Sequence, residues 1–309
     1  MICLGRKYIF NEYELKVIEK LCPEFSIIDY NEKEPNSVIE EIDERLSKSA
    51  IRIVILNTEH KVDNNIISYL VNHKNQPCRQ RIKIITLEHF MEMYLKKCLI
   101  PDDNISLDYL DNIRSYTFKQ YITKRLIDYF FCLIIFTFGA LFIGVIAFII
   151  KKQSSGKLFF KQTRVGLNGK LFQCYKFRSM HENMEYDPYT RKEDPRIFPF
   201  GKFMRKARID EFPQIINVFK GDMHMIGPRA EWNVLVNEYE KVLPYYNERH
   251  IVAPGITGWA QVNYPYGASI QDTKQKLMYD LFFIKHWSIK LELLIIWRTM
   301  ITIFKLKGR

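Results

Sequence analysis

Over the first hundred residues, short apolar runs alternate with longer stretches in which apolar positions recur every three or four residues. That alternation predicts strands and helices in turn. Strands are expected at 2–5, 25–30, 51–57 and 82–87, and helices at 11–22, 36–47 and 88–97. The order predicts a small α/β domain around a mainly parallel sheet. Asn11, with Glu14 three positions on, supplies a capping-box start for the first helix. No Gly-x-Gly-x-x-Gly or Walker loop follows any of these strands, so an accessory domain for regulation or docking is favoured over nucleotide binding.

The pattern changes over 127–150, where 24 residues carry a single charge, Asp128. About 20 apolar residues of helix suffice to enter and cross a hydrocarbon core. Both flanks are basic: Arg114, Lys119, Lys124 and Arg125 stand against Asp108 and Asp111 before it, and 151–180 holds eight basic residues and no acidic one. Basic flanks favour the cytoplasmic side. The pattern therefore predicts a re-entrant helix that leaves on the side it entered, with Gly139 and Gly144 as the break points. Beyond it, nine glycines between 156 and 267 punctuate short elements, as expected of a compact, site-bearing α+β domain. Residues 289–304 predict a strongly apolar carboxyl-terminal helix with Trp287 and Trp297, suited to a membrane interface.

Composition narrows the class. A 309-residue chain that is 47% hydrophobic and 26% charged builds packed domains, and a formal charge of +11 asks for an anionic partner. No nucleic-acid module accompanies that charge, and the basic residues gather beside the apolar segment, where anionic membrane lipid would meet them. Cys3, Cys22, Cys78, Cys98, Cys132 and Cys174 are widely spaced, which predicts reduced thiols in a cytosolic setting. The first ten residues lack the apolar core of a signal peptide, so the bulk of the chain is expected in the cytoplasm.

The candidate chemistry centres on adjacent carboxylates, Asp210 and Glu211, preceded by Arg205, Lys206 and Arg208. Cations at this density depress carboxylate pKa values and collect phosphates. A carboxylate can attack phosphorus to give an acyl phosphate, provided a divalent cation and nearby Arg or Lys offset the repulsion between anions. Asp210, Glu211, Arg205 and Arg229 provide that set, with Arg229 presented by the tight Gly227-Pro228 turn. Asp210 before Glu-Phe-Pro is also a good helix start, with Gly221 as the stop, so a capping role stands beside the catalytic one. Lys176 and Arg178 alternate with Phe177 as on a half-buried strand, which points both charges to one face. His224, His250 and His286 lack metal-ligand spacing and read as structural or surface residues, and the chemistry of the Pro254–Trp259 turn pattern is not legible.

In order along the chain, these motifs resemble the bacterial sugar transferase family of monotopic polyprenyl-phosphate phosphoglycosyl transferases. The residues that carry the resemblance are Lys124-Arg125 with Asp128, Phe159-Phe160-Lys161-Gln162 with Arg164 and Gly166, Lys176–Met180, Asp210–Gln214, Gly227-Pro228-Arg229 and Pro254–Val262. They cover roughly the last three fifths of the chain.

The resemblance implies that Asp210 attacks the β-phosphate of a UDP-sugar, leaning to an N-acetylhexosamine with a hexose such as glucose or galactose as the alternative, and that UMP leaves. Undecaprenyl or another polyprenyl phosphate then takes the phosphosugar. It further implies Mg²⁺ held by Glu211, substrate binding by Lys176, Arg205 and Arg229, to which the strand pattern adds Arg178 as a substrate-binding candidate, and downstream glycosyltransferases as partners. The location implied is the bacterial inner membrane, with the catalytic domain on the cytoplasmic side. Two departures stand out: Ala140-Leu141 replaces the Ser-Pro pair at which the family usually breaks its membrane helix, and Ala230 replaces the Pro after Gly-Pro-Arg. The expected architecture is an α/β amino-terminal domain over 1–112, a linker and re-entrant membrane helix over 113–150, and an α+β catalytic domain with interfacial amphipathic helices over 151–309.

Overall fold

In the computed structural model, residues 1–29, 33–48, 53–58, 62–75, 82–100, 112–182, 193–265, 267 and 269–305 are described. The chain divides into two compact units, Met1–Leu99 and Ile100–Arg309. The expected boundary at 112 adjoins residues 101–111, which lie outside the described set, as do Asp108, Asp111 and Cys78.

The first unit is the expected parallel sheet. Strands β1 (Ile2–Leu4), β2 (Ser26–Ile28), β3 (Ile53–Leu56) and β4 (Lys83–Thr86) lie in the order β2-β1-β3-β4, every pair parallel. Parallel sheets carry helices on their faces, so a central strand is apolar throughout. Ile2, Cys3 and Leu4 are indeed fully buried. Helix α1 (Glu12–Leu21) starts at the Asn11–Glu14 capping box. Helix α2 is Pro35–Lys48, α3 is Asn64–Asn75, and α4 (Leu87–Phe90) runs into a π-turn over Met91–Leu95.

Ligands of such sheets bind where the strand order reverses, here outside the carboxyl ends of β1 and β3. That crevice is laced shut. Asn57 is buried, accepts from Tyr8 N at 2.8 Å and donates to Gly5 O and Tyr8 O at 3.3 and 2.9 Å. A Cβ on Gly5, whose φ is +86°, would overlap the Asn57 carbonyl. The packing agrees with the absence of a phosphate-binding loop.

The second unit begins with α5 (Phe118–Gln153), 36 residues opened by a Thr117–Gln120 capping box. At about 1.5 Å per residue it is about 54 Å long, well beyond the roughly 30 Å of a hydrocarbon core. The expected interruption at Gly139 or Gly144 is not there; the helix is continuous through both. Its inward positions are Lys124, Asp128, Cys132, Ile135, Gly139, Ile143, Ile146 and Ile150, which pack on the rest of the unit. Their spacing of three and four traces one face of a continuous helix. No proline interrupts the ladder, and Gly139 serves close packing: a Cβ there would overlap the Phe212 ring. The opposite face exposes Phe130, Leu133, Phe136, Leu141, Phe142, Val145 and Phe148.

The remaining elements build the site. Strands β5 (Phe159–Val165) and β6 (Leu171–Phe177) form an antiparallel hairpin. Helix α6 (Pro199–Lys206) leads into a 3₁₀ turn, Ile209–Gln214, and then α7 (Ile215–Lys220), which stops at Gly221 with φ +91°, as the sequence predicted. Strand β7 (His224–Ile226) pairs in parallel with β8 (Gly255–Thr257). Helices α8 (Asn233–Val242), α9 (Trp259–Asn263), α10 (Ile270–Lys285) and α11 (Ile289–Phe304) complete the unit, the last at its expected bounds.

Candidate active site

Asp210 and Glu211 lie in the first turn of the 3₁₀ segment, both about 8% exposed. Arg208, not Asp210, occupies the cap position, in the left-handed region with φ 56°, and no side chain caps the turn. The carboxylate pair is thus not accounted for as a helix start.

Lys176, near the end of β6, reaches Glu211 Oε1 with Nζ at 2.8 Å. Arg229 Nη1 approaches the same oxygen at 3.6 Å, and Arg208 Nη1 is 4.0 Å from Oε2. Burial opposes ionisation of Glu211, but Lys176, Arg229 and Arg208 outweigh it and hold its carboxyl well below the usual range. Asp210 goes the other way. Burial, seconded by the Glu211 charge, pushes it up to about 6 against the pull of Lys176, Arg205 and Arg229. Burial also lowers the Lys176 ammonium, with Arg164 and Arg229 adding to that and Glu211 opposing it. Two neighbouring carboxylates with separated pKa values are set up for different tasks.

The pair opens on a cavity of about 1280 Å³ lined by eleven Lys and Arg side chains against five carboxylates. Lys176, Arg205 and Arg229 line it. Arg178 borders it but commits its guanidinium elsewhere. It follows the last residue of β6, is buried, and donates to Ser154 O at 2.7 Å, Ser154 Oγ and Lys157 O, tying down the end of α5. The strand alternation that put it beside Lys176 ends one residue too early.

The Pro254–Trp259 run, opaque in the sequence, holds the Arg229 turn. His224 N donates to Pro254 O at 2.7 Å, Gly255 N to Pro228 O at 2.8 Å and Gly227 N to Thr257 O at 2.9 Å. A Cβ on Gly255 would overlap Gly227 N, and one on Gly258 would overlap Gly227 O, so only glycine permits this approach. Arg249, ion-paired to buried Asp280 at 2.8 Å, donates to Arg229 O at 2.8 Å. Asp128 of α5 accepts from Met225 N at 2.8 Å and meets His224 Nδ1 at 2.6 Å, so His224 is structural, as expected.

Arg164, Glu231, Arg249 and Asp280 also line the cavity and were absent from the predicted site. Arg164 was visible only as a motif residue, and the other three are single charges whose meaning is purely spatial. Arg229 Nε stands 3.9 Å from Glu231 Oε1, so Glu231 flanks the same guanidinium as Glu211.

Hydrophobic helix, carboxylate pair and cationic cavity fall within one family match: the profile described as bacterial sugar transferase matches residues 119–306, and the chain belongs to that family. It is 45% identical over 159 residues to the UDP-N-acetylgalactosamine-undecaprenyl-phosphate N-acetylgalactosaminephosphotransferase of Aeromonas hydrophila, covering 51% of this chain and 38% of the relative. It is 41% identical over 159 residues to the UDP-glucose:undecaprenyl-phosphate glucose-1-phosphate transferase of Xanthomonas campestris pv. campestris, covering 50% and 33%. An uncharacterized sugar transferase, EpsL, of Bacillus subtilis (strain 168) is 36% identical over 183 residues, covering 58% and 86%. The match thus spans 38% and 33% of the length of the first two relatives.

Proposed function

We propose that this protein transfers a sugar-1-phosphate from a UDP-sugar to undecaprenyl or another polyprenyl phosphate, through a covalent phosphosugar on Asp210. The observation that carries the reading is the divided carboxylate pair, Asp210 pushed up to about 6 and Glu211 held low, at the edge of a cationic cavity. In the first step an Asp210 oxygen forms a bond to the β-phosphorus, the bond from that phosphorus to the bridging oxygen breaks, and UMP leaves with the oxygen. In the second, a polyprenyl phosphate oxygen attacks the same phosphorus, and the Asp210 carboxylate is released. Lys176, Arg205 and Arg229 line the route that the pyrophosphate would occupy.

Among the described residues, no group of three or more His, Cys, Asp or Glu is placed to hold a metal. Mg²⁺ at a phosphate site, however, takes only one or two carboxylates and completes its shell from substrate and water. Ionised Glu211 beside Asp210 fits that donor set, and Glu211 is the proposed ligand. The ion, when bound, neutralises charge on the pyrophosphate.

The proposed donor is an N-acetylhexosamine nucleotide, supported by the 45% identity to a relative named for N-acetylgalactosamine against 41% for one named for glucose. The membrane association of the family is read here as α5 lying in the cytoplasmic leaflet. Its exposed apolar face would meet the acyl chains and its basic ends, Lys119 and Lys151-Lys152, the anionic headgroups. Glycosyltransferases acting on the lipid-linked product are the expected partners.

The test is UMP release by detergent-solubilised protein with Mg²⁺ and polyprenyl phosphate across a panel of UDP-sugars. One donor should stand out, and release from none of them would overturn the reading. The pH dependence is a further expectation. Asp210 must be ionised to attack, so kcat should fall about tenfold per unit as pH drops below about 6 and level off above it. A rate that stays flat down to pH 4.5 would remove Asp210 as the nucleophile.

A further inference from the structure

Gly139 sits at the middle of α5, on its inward face, and Phe212 is the residue directly after Glu211. A Cβ built on Gly139 would overlap Cε2 and Cζ of the Phe212 ring and lie 3.1 Å from Cδ2. The ring also lies parallel to Phe177, at 6.4 Å between centroids with a tilt of 5°, and Phe177 stacks on Phe159 at 5.5 Å with a tilt of 18°. Phe177 is 2% exposed and in turn directly follows Lys176. Phe212 packs against both buried clusters along α5, one around Cys132, Ile215 and Val218, the other around Ile150, Phe198 and Met204.

The two partners of the Lys176–Glu211 ion pair are therefore each joined to one ring of the Phe177–Phe212 stack. That stack is wedged against the bare backbone of the apolar helix. Packed interiors transmit a displacement rather than absorb it, and the partly buried Phe212 ring leaves no space for a methyl group on the side that meets Gly139.

We propose that Gly139 is a positioning residue for the reaction: the absence of a side chain at the centre of the apolar helix sets the seat of Phe212, and through it the placement of Asp210 and Glu211 against Lys176. Gly144 gives the control within the same helix, because a Cβ there meets nothing within 4 Å. Alanine is the better helix former at both positions, so a weakened helix would not explain a defect at 139. The inference rests on the transferase reading. With wild-type turnover established and Asp210→Asn as the inactive reference, its failure is distinct from the failure of that reading.

The experiment measures kcat and KM for the UDP-sugar in detergent-solubilised Gly139→Ala, Gly144→Ala and Gly139→Ala/Phe212→Leu proteins, each checked for folding by thermal shift. Gly139→Ala should lose about 10²-fold in kcat, the scale of an ångström-sized misplacement, with KM changed less than about threefold. Gly144→Ala should match wild type. The double variant, which returns the space that the methyl takes, should recover to at least about a tenth of wild-type kcat. Wild-type kcat in folded Gly139→Ala, or a double variant as slow as the single one, would overturn the proposal. If Gly139→Ala does not fold, an active double variant upholds the steric coupling, and one that also fails to fold or turn over overturns it.

Discussion

Asp210→Asn should abolish UMP release, by at least about 10³-fold in kcat, and at the same time make the protein more stable at pH 8. The activity loss follows because an amide oxygen is a poor nucleophile and its phosphoryl adduct would be unstable. The stability gain follows from burial. The carboxyl is 8% exposed, and burial pushes its pKa up to about 6, against about 4 in an unfolded chain. A carboxyl whose folded pKa lies above its unfolded value contributes stability that is full below pH 4 and lost as pH rises through 6. At pH 8 the wild type therefore carries a penalty of about 3 kcal/mol that Asn does not. Thermal unfolding at pH 8 and pH 4 checks the sign, with the variant ahead at the higher pH and the gap closing at the lower. A carboxylate that merely capped a turn would give the reverse, lower stability with no consequence for turnover.

Lys176→Met should cost about 10²-fold in kcat and about 2–4 kcal/mol in stability. Lys176 Nζ is 2.8 Å from Glu211 Oε1, with side chains 16% and 10% exposed, so removing it leaves a buried carboxylate with Arg229 and Arg208 at 3.6 and 4.0 Å as its nearest cations. Lys176 is also the largest influence holding the Asp210 pKa down against burial. Without it the acidic limb of the pH–rate profile should move above 6, which a purely structural defect would not do. Denaturant unfolding and the pH profile of the residual activity check the two halves of the prediction.

How much could be read from the sequence follows the range of the forces involved. The alternation in the first unit is local, and its sheet and the α1 capping box match expectation. Helix α3 is absent from the predicted elements, because its Asn-rich sequence has weak helix propensity. Its inward face is marked by Ile66 and Leu70, four apart and fully buried. The carboxylate pair and the cations Lys176, Arg205 and Arg229 were legible as charges in motifs. Arg249 and Asp280 were not, since they act by holding the backbone of Arg229 from more than 15 residues away in sequence. Gly139 was read as a weak point in the helix because glycine lowers propensity. Its use as a seat for an aromatic ring depends on Phe212, 73 positions later, which no local pattern contains.

A covalent bond between Asp210 and the phosphosugar is tested most directly by intact-protein mass spectrometry after mixing the enzyme with its UDP-sugar and Mg²⁺, without polyprenyl phosphate. The predicted result is an adduct of one sugar phosphate mapping to the peptide that contains Asp210, formed together with one equivalent of UMP and discharged on adding polyprenyl phosphate. UMP release that requires the lipid acceptor from the outset, with no adduct at any time, would contradict it.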